Sequence, residues 1–147
     1  MKQPSRTKQT GFLLLFVLLL FAVNFYKNES APTSARDNVQ AIEQAFENRI
    51  SNIQISGSGT IVKLLPDDTK GTKHQKFIVR ISPKVTVLIA HNIDLAPRIN
   101  TIAKGDTLSF YGEYKWNNRG GVIHWTHHDP GKRHIDGWLN FQGKIYQ

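Results

Sequence analysis

Four of the six histidines in this 147-residue chain fall within eleven residues near the C-terminus. They are His124, His127, His128 and His134, with Asp129 and Asp136 among them. Neutral imidazole is the commonest metal ligand in proteins, suited to zinc, copper, nickel and iron, and a carboxylate is able to complete the coordination shell. The cluster therefore predicts a site for a transition metal, zinc or copper, or for the iron of haem.

Side-chain alternation limits which of these histidines can share a site. On an extended strand His124 and His128 point to one face and His127 to the other. The residues after Pro130 are able to fold back and supply further ligands. The predicted ligand set is His124, His128 and His134 with one of Asp129 or Asp136. The alternative is that these histidines bond backbone carbonyls and neighbouring aspartates, and so hold a turn in place without a metal.

Aromatic residues also concentrate in the C-terminal third. The candidates for stacking on a ligand are Trp116, Trp125, Trp138, Tyr111 and Tyr114. On an exposed sheet face such rings stack on bases or on sugar rings, which indicates an oligonucleotide- or glycan-binding protein as an alternative. The simpler interpretation is that Trp125 and Trp138 pack a terminal hairpin against the rest of the domain.

Composition excludes several classes of protein. The chain has no cysteine, which rules out a disulfide-stabilised mini-protein and any cysteine-ligated zinc or iron–sulfur centre. Its formal charge is +8, but Lys2, Arg6, Lys8 and Lys27 precede the first acid, so the remainder carries 15 − 11 = +4. Such a modest excess is weak support for nucleic acid as a partner.

The N-terminal segment resembles an export signal. Residues 12–23 are twelve uninterrupted apolar residues, preceded by basic residues and followed by a polar stretch. This layout predicts a signal peptide or an uncleaved signal anchor over residues 1–27. The apolar run is shorter than the about 20 apolar residues that a membrane-spanning helix normally needs. The charge distribution places the N-terminus inside and the domain on the periplasmic side of the cytoplasmic membrane, which is a partner if the signal is uncleaved. Residues 28–36 are predicted to form a linker.

The remaining sequence, residues 37–147, is predicted to form one mainly β domain. Apolar residues three and four apart predict an amphipathic helix over 37–50, with Ser34 or Asp37 as its N-cap. A period of two then predicts five strands over 53–65, 75–82, 85–91, 107–116 and 121–128. Gly57 and Gly59 permit a bend in the first strand, so that it serves two parts of a small barrel. A short helix that turns Leu95, Ile99 and Ile102 inward is expected between the third and fourth strands, and a hairpin over 138–146 follows. This order is that of a five-stranded OB-fold-like barrel.

Several motifs together resemble one bacterial family of small exported proteins, catalogued only as a domain of unknown function (DUF3465). They are LLPDDTKG (64–71), HQKF (74–77), IAHNIDLAP (89–97), YGEYKWN (111–117), HWTHHDP (124–130) and HIDGW (134–138). The resemblance covers about residues 53–147. It implies an OB-like fold outside the cytoplasmic membrane and gives no activity.

Two further likenesses suggest functions. Residues 93–97 are similar to a segment of thermonuclease-like OB enzymes, and Asp67 and Asp68 stand where those enzymes place calcium-binding acids. With Asp94 and the histidines they would form the site of a metal-assisted phosphodiesterase, but Arg98 replaces the expected general base. The other likeness is to the haem chaperone of cytochrome c maturation, in which a histidine just after the last strand is functional, as His127 or His128 would be. We therefore expect a metal- or haem-binding protein rather than an enzyme.

Overall fold

The computed structural model describes residues 35–147. The predicted signal segment at 1–27, most of the predicted linker 28–36 and the candidate N-cap Ser34 lie outside the described residues. One helix and seven strands follow in chain order: α1 Ala35–Glu47, β1 Ile53–Asp68, β2 His74–Arg80, β3 Thr86–Asn92, β4 Thr107–Lys115, β5 Val122–His124, β6 Trp138–Phe141 and β7 Lys144–Tyr146. Within residues 35–147, no helix has the length and apolar character needed to cross a membrane.

The first five strands form a closed ring. Their order is β1-β2-β3-β5-β4, and β4 pairs again with β1. The β3–β5 pair is parallel, whereas the other pairs in the ring are antiparallel. Strand β6 pairs with β4 on the edge opposite β1, and β7 pairs with β6 as the predicted terminal hairpin. The predicted mainly β fold and the five-stranded ring are confirmed.

Ring closure depends on a change of partner within β1. Residues 53–60 pair with β4 and residues 60–68 pair with β2, so Thr60 lies opposite both Thr107 and Arg80. Gly59 occupies the crossing point, where a Cβ atom would lie 2.4 Å from the carbonyl oxygen of Arg80. Only glycine allows the backbones to approach this closely, as expected for a strand that serves two parts of one sheet.

Helix α1 packs against the hydrophobic core of the ring. Ile42 is fully buried, and Val39 and Phe46 pack against the core from the same face. The helix ends at Glu47, three residues earlier than predicted, because Arg49 adopts a left-handed conformation with φ 55°. Ile50, which the periodicity placed on the buried face, is consequently 41% exposed.

The predicted short helix between β3 and β4 is absent; residues 93–106 form turns. Ile99 is the reason, because the side-chain amide of Gln75 bonds both of its backbone groups. Gln75 Nε2 donates to the Ile99 carbonyl at 2.8 Å, and the Ile99 N–H donates to Gln75 Oε1 at 2.9 Å. A helix would need these same groups for its own hydrogen bonds. Ile99 and Ile102 are nevertheless buried as predicted, whereas Leu95 is 46% exposed.

The fifth strand is also shorter than predicted. It ends at His124 instead of continuing to His128, because Trp125 has a φ of 55° and turns the chain out of the sheet. A positive φ is costly for a bulky residue and incompatible with a continuing strand. The alternation that placed His124 and His128 on one face therefore does not apply.

Replacing Gly59 with Ala tests the bend in β1. We expect Gly59→Ala to lower the free energy of unfolding by about 1–3 kcal/mol, because the methyl group overlaps the Arg80 carbonyl and forces β1 away from β2. Urea denaturation followed by circular dichroism measures the change. The neighbouring exposed Thr60→Ala is the control, with an expected change within about 0.5 kcal/mol. Equal stability of Gly59→Ala and the parent would contradict this account.

Candidate functional site

The histidine-rich segment after β5 folds into a loop that is organised around the Asp129 carboxylate. This carboxylate accepts hydrogen bonds from the backbone N–H groups of Arg133 (2.6 Å), Gly131 (2.9 Å) and His134 (2.9 Å). The three bonds, with that from Arg133 foremost, hold the pKa of Asp129 below its usual value. Asp129 is thus engaged in fixing the loop.

Asp136 closes the same loop from its far end. Its carboxylate accepts the backbone N–H of Asp129 at 2.8 Å and contacts Nδ1 of the exposed His128 at 2.9 Å. Both bonds lower the pKa of Asp136. Three of the predicted metal ligands therefore bond within the loop: His128, Asp129 and Asp136. This agrees with the alternative in which these side chains hold a turn in place without a metal.

The remaining predicted ligands face a carboxylate that the sequence did not single out. His124 Nε2 lies 3.4 Å from Glu113 Oε1, and His134 Nδ1 lies 3.7 Å from Glu113 Oε2. Burial lowers the pKa of His124, and the Glu113 charge opposes this only in part. His134 also stacks on Trp125, with ring centroids 3.7 Å apart. The pairing of Glu113 with His124 across β4 and β5 brings these groups together.

The predicted ligand set is thus divided between the loop and Glu113. Among residues 35–147, no group of three or more histidine, aspartate, glutamate or cysteine side chains is placed to hold a metal ion. The loop and Glu113 hold the predicted residues in two separate groups, and a bare zinc or copper ion with three or four protein ligands does not match this arrangement.

Three histidines, His74, His124 and His127, line a groove on the outer face of β2, β3 and β5. His74, which the sequence interpretation missed, stands at the start of β2, and its Nδ1 donates to the Thr72 carbonyl at 2.8 Å. Nδ1 of His127 donates to the His128 carbonyl at 2.6 Å. Because a carbonyl only accepts, these bonds place the proton on Nδ1 of each neutral ring and leave the lone pair on Nε2.

The groove consists of two adjoining depressions of about 340 and 460 Å³ that share His74, Ala90 and His124. The apolar residues that line it are Leu88, Ala90, Leu95, Val122 and Trp125. Lys76, Lys115 and Asp68 carry the charges along its length. The groove therefore combines apolar surface, the imidazole rings of His74, His124 and the largely buried His127, and two ammonium groups.

The acidic residues of the alternative enzyme site are engaged separately. Asp67 pairs with Arg98, whose Nε lies 2.9 Å from its Oδ2. Asp94 accepts the backbone N–H of Lys73 at 2.7 Å, and Asp68 accepts that of Lys70 at 3.1 Å. Arg98, which replaces the expected general base, thus neutralises one of the proposed metal-binding acids.

The five candidate aromatic residues have different roles. Tyr114 is fully buried and its hydroxyl donates to the Gly120 carbonyl, while Trp116 Nε1 donates to the Phe46 carbonyl and fastens α1 to the ring. These two contacts are structural. Trp125 lines the groove, and Tyr111 and Trp138 pair on the outer face of β4 and β6 with ring centroids 6.1 Å apart.

Behind the groove lies His91, a fully buried imidazole that the sequence interpretation also missed. Its Nδ1 contacts Thr126 Oγ1 at 2.8 Å and its Nε2 contacts the Pro97 carbonyl at 3.3 Å. It thereby joins the two segments that carry Leu95 and Trp125. Burial lowers the pKa of His91 to about 4, since desolvation outweighs the bond to Pro97.

His91 makes the stability of the domain sensitive to acid. The unfolded histidine binds a proton near pH 6.5 and the folded one only near pH 4. The unfolded state therefore binds more protons between these values, and the free energy of unfolding falls as the pH is lowered from 6.5 to 4. We expect a total loss of about 3 kcal/mol from this residue. Urea denaturation at a series of pH values measures it, and His91→Gln should flatten the slope. The exposed His128→Gln is the control, and an unchanged slope in His91→Gln would refute the assignment.

Comparison with known proteins supplies a family without an activity. No curated protein is similar enough to count as a relative of the chain. One family profile, described as a protein of unknown function (DUF3465), matches residues 21–147 and so covers most of the sequence. The chain therefore belongs to this family of proteins of unknown function.

Proposed function

We propose that this protein is an OB-fold binding protein that takes its ligand in the groove on the outer face of β2, β3 and β5. The ring order and the parallel β3–β5 pair support the OB assignment. In that fold, the face of the second and third strands is where oligonucleotides and oligosaccharides bind. The groove lies on this face, and its lining is the observation that carries the proposal.

The lining selects the chemistry of the ligand. Leu88, Val122 and Trp125 suit a flat apolar body, and the ammonium groups of Lys76 and Lys115 suit carboxylates at its edge. The Nε2 lone pairs of His74 and His127 suit a metal that needs one or two further ligands, and the carbonyl bond on each Nδ1 is the usual support for a metal-binding histidine. Haem has all three features.

Haem also accounts for the dispersed histidines better than a bare ion. A zinc or copper ion needs three or four ligands from the protein, whereas the porphyrin already supplies four nitrogens to its iron. One or two imidazoles beside an apolar groove then suffice. The phosphodiesterase hypothesis draws less support because Asp67 and Asp94 bind separate partners. The oligonucleotide hypothesis draws less support because the groove carries an acid, Asp68, beside its two lysines.

We further propose that the domain works outside the cytoplasmic membrane, exported or held there by the N-terminal apolar segment. The support is the order of basic residues, apolar run and polar exit in residues 1–27. This location would expose the groove to ligands on the periplasmic side.

Titration of the full-length chain with ferric haem tests the ligand assignment. We expect an absorption spectrum typical of imidazole-ligated iron, and loss of this spectrum in the double variant His74→Ala/His127→Ala. The exposed His128→Ala is the matched control and should keep the parent spectrum. Lys76→Glu should weaken haem binding about tenfold, because it places a negative charge beside the haem carboxylates.

Two porphyrin probes separate the contributions. Metal-free protoporphyrin should bind the parent and the double histidine variant equally, since it uses only the apolar and charged parts of the groove. Protoporphyrin dimethyl ester should be insensitive to Lys76→Glu, because it has no carboxylates. An imidazole-ligated spectrum that survives in the double histidine variant, or the absence of haem binding by the parent, would sink the assignment.

Protease accessibility in spheroplasts tests the location. We expect protease added from outside to digest residues 35–147 while a cytoplasmic marker enzyme stays intact. Replacement of Lys2, Arg6 and Lys8 by Glu should reduce export, because positive charges hold the N-terminus inside. Full protection of the domain until the membrane is lysed would show that it faces the cytoplasm.

A further inference from the structure

A second outer face, separate from the groove, is formed by the first half of β1 with β4 and β6. Cross-strand register arranges its side chains in two rows. The first row is Ser56, Tyr111 and Trp138, and the second is Ser58, Ser109 and Asn140. These residues alternate with buried neighbours along their strands, so all six point outward. With strands about 4.8 Å apart, the rows make a platform three strands wide.

An aromatic pair lies at the centre of this platform. Tyr111 and Trp138 are directly opposite each other, with ring centroids 6.1 Å apart and planes inclined by 34°. Both rings are half-buried, so each keeps an accessible part. Two rings tilted in this way form a shallow trough rather than a closed aromatic stack.

Hydrogen-bonding groups without charge surround the pair. Ser109 Oγ donates to Ser58 Oγ at 3.1 Å, which leaves the Ser58 hydroxyl proton to point elsewhere. Asn140 Oδ1 accepts the backbone N–H of Gly143 at 3.1 Å, which leaves both protons of its side-chain NH₂ group for another partner. None of the six residues in the two rows is charged. The nearest carboxylate along β4, that of Glu113, faces His124 and His134.

This combination of groups excludes several ligands. A phosphate or carboxylate would find no cation in the two rows, and a metal would find no imidazole or carboxylate. A purely apolar partner would bury the hydroxyl and amide groups of Ser58 and Asn140 without hydrogen bonds. A ligand with C–H faces for the rings and hydroxyls around its edge satisfies both kinds of group.

We propose that the Tyr111–Trp138 platform binds a neutral oligosaccharide. One sugar ring lies on the aromatic pair through its C–H face, and its edge hydroxyls bond Ser58, Ser109 and Asn140. A chain of β-1,4-linked hexoses has the flat C–H faces and extended shape that suit a platform three strands wide. The proposal is independent of the haem groove, which uses other residues.

Isothermal titration calorimetry of the full-length chain with cellotetraose and chitotetraose tests this site. We expect binding of at least one of the two with an affinity that does not change between low and high sodium chloride, because no ion pairs form. Trp138→Ala and Tyr111→Ala should each weaken binding about tenfold. Charged tetragalacturonate should not bind.

Trp125→Ala is the matched control, since Trp125 lies in the groove. It should leave oligosaccharide binding unchanged, and Trp138→Ala should leave haem binding unchanged. If Trp138→Ala unfolds, Ser109→Val removes a hydroxyl from the second row while keeping a side chain suited to a strand. Failure of both oligosaccharides to bind, or binding that survives Trp138→Ala, Tyr111→Ala and Ser109→Val, would overturn the proposal. So would equal loss in Trp125→Ala.

Discussion

The close contact between Gly59 and the Arg80 carbonyl is the constraint on which the domain depends. At this point β1 leaves β4 and joins β2, and the ring closes only because one strand serves both partners. Closure brings β5 between β3 and β4, which places His124 opposite Glu113 and beside Ala90. The groove and the Glu113 contacts are therefore consequences of one backbone approach that a methyl group would prevent.

Closure also determines where a ligand can bind. The interior of the ring is filled by side chains that include Phe77, Phe110 and Tyr114, all fully buried. A five-stranded ring of this kind has no room for a ligand inside, so the proposed ligands would bind on the outward positions of its strands and on the loops. On β2, β3 and β5, some of the outward positions carry histidine or lysine instead of an apolar residue.

The sequence predicted the parts of the fold that follow from local periodicity. Alternating β-branched residues located all five ring strands to within a few residues, and the spacing of Val39, Ile42 and Phe46 located α1. Prediction from the sequence failed where contacts with residues distant in sequence determine the backbone conformation. Gln75 bonds Ile99 across 24 positions and so prevents the expected helix. Trp125 ends β5 by a positive φ that the tertiary contacts of its loop hold in place, and no local propensity predicts this for a bulky residue.

The same limit explains the site. The density of histidines after β5 indicated a functional region, but density does not show which rings converge. Asp129 and Asp136 form a hydrogen-bond network within that segment. Strand pairing brings His74, His91 and Glu113 to the region from elsewhere in the chain. Within the loop His128 bonds the Asp136 carboxylate, whereas His127 bonds the backbone carbonyl of His128. In the neutral form of His127, this bond from Nδ1 leaves the lone pair of the ring on Nε2. That tautomer is the one in which an imidazole binds a metal through Nε2, as the proposed haem site requires.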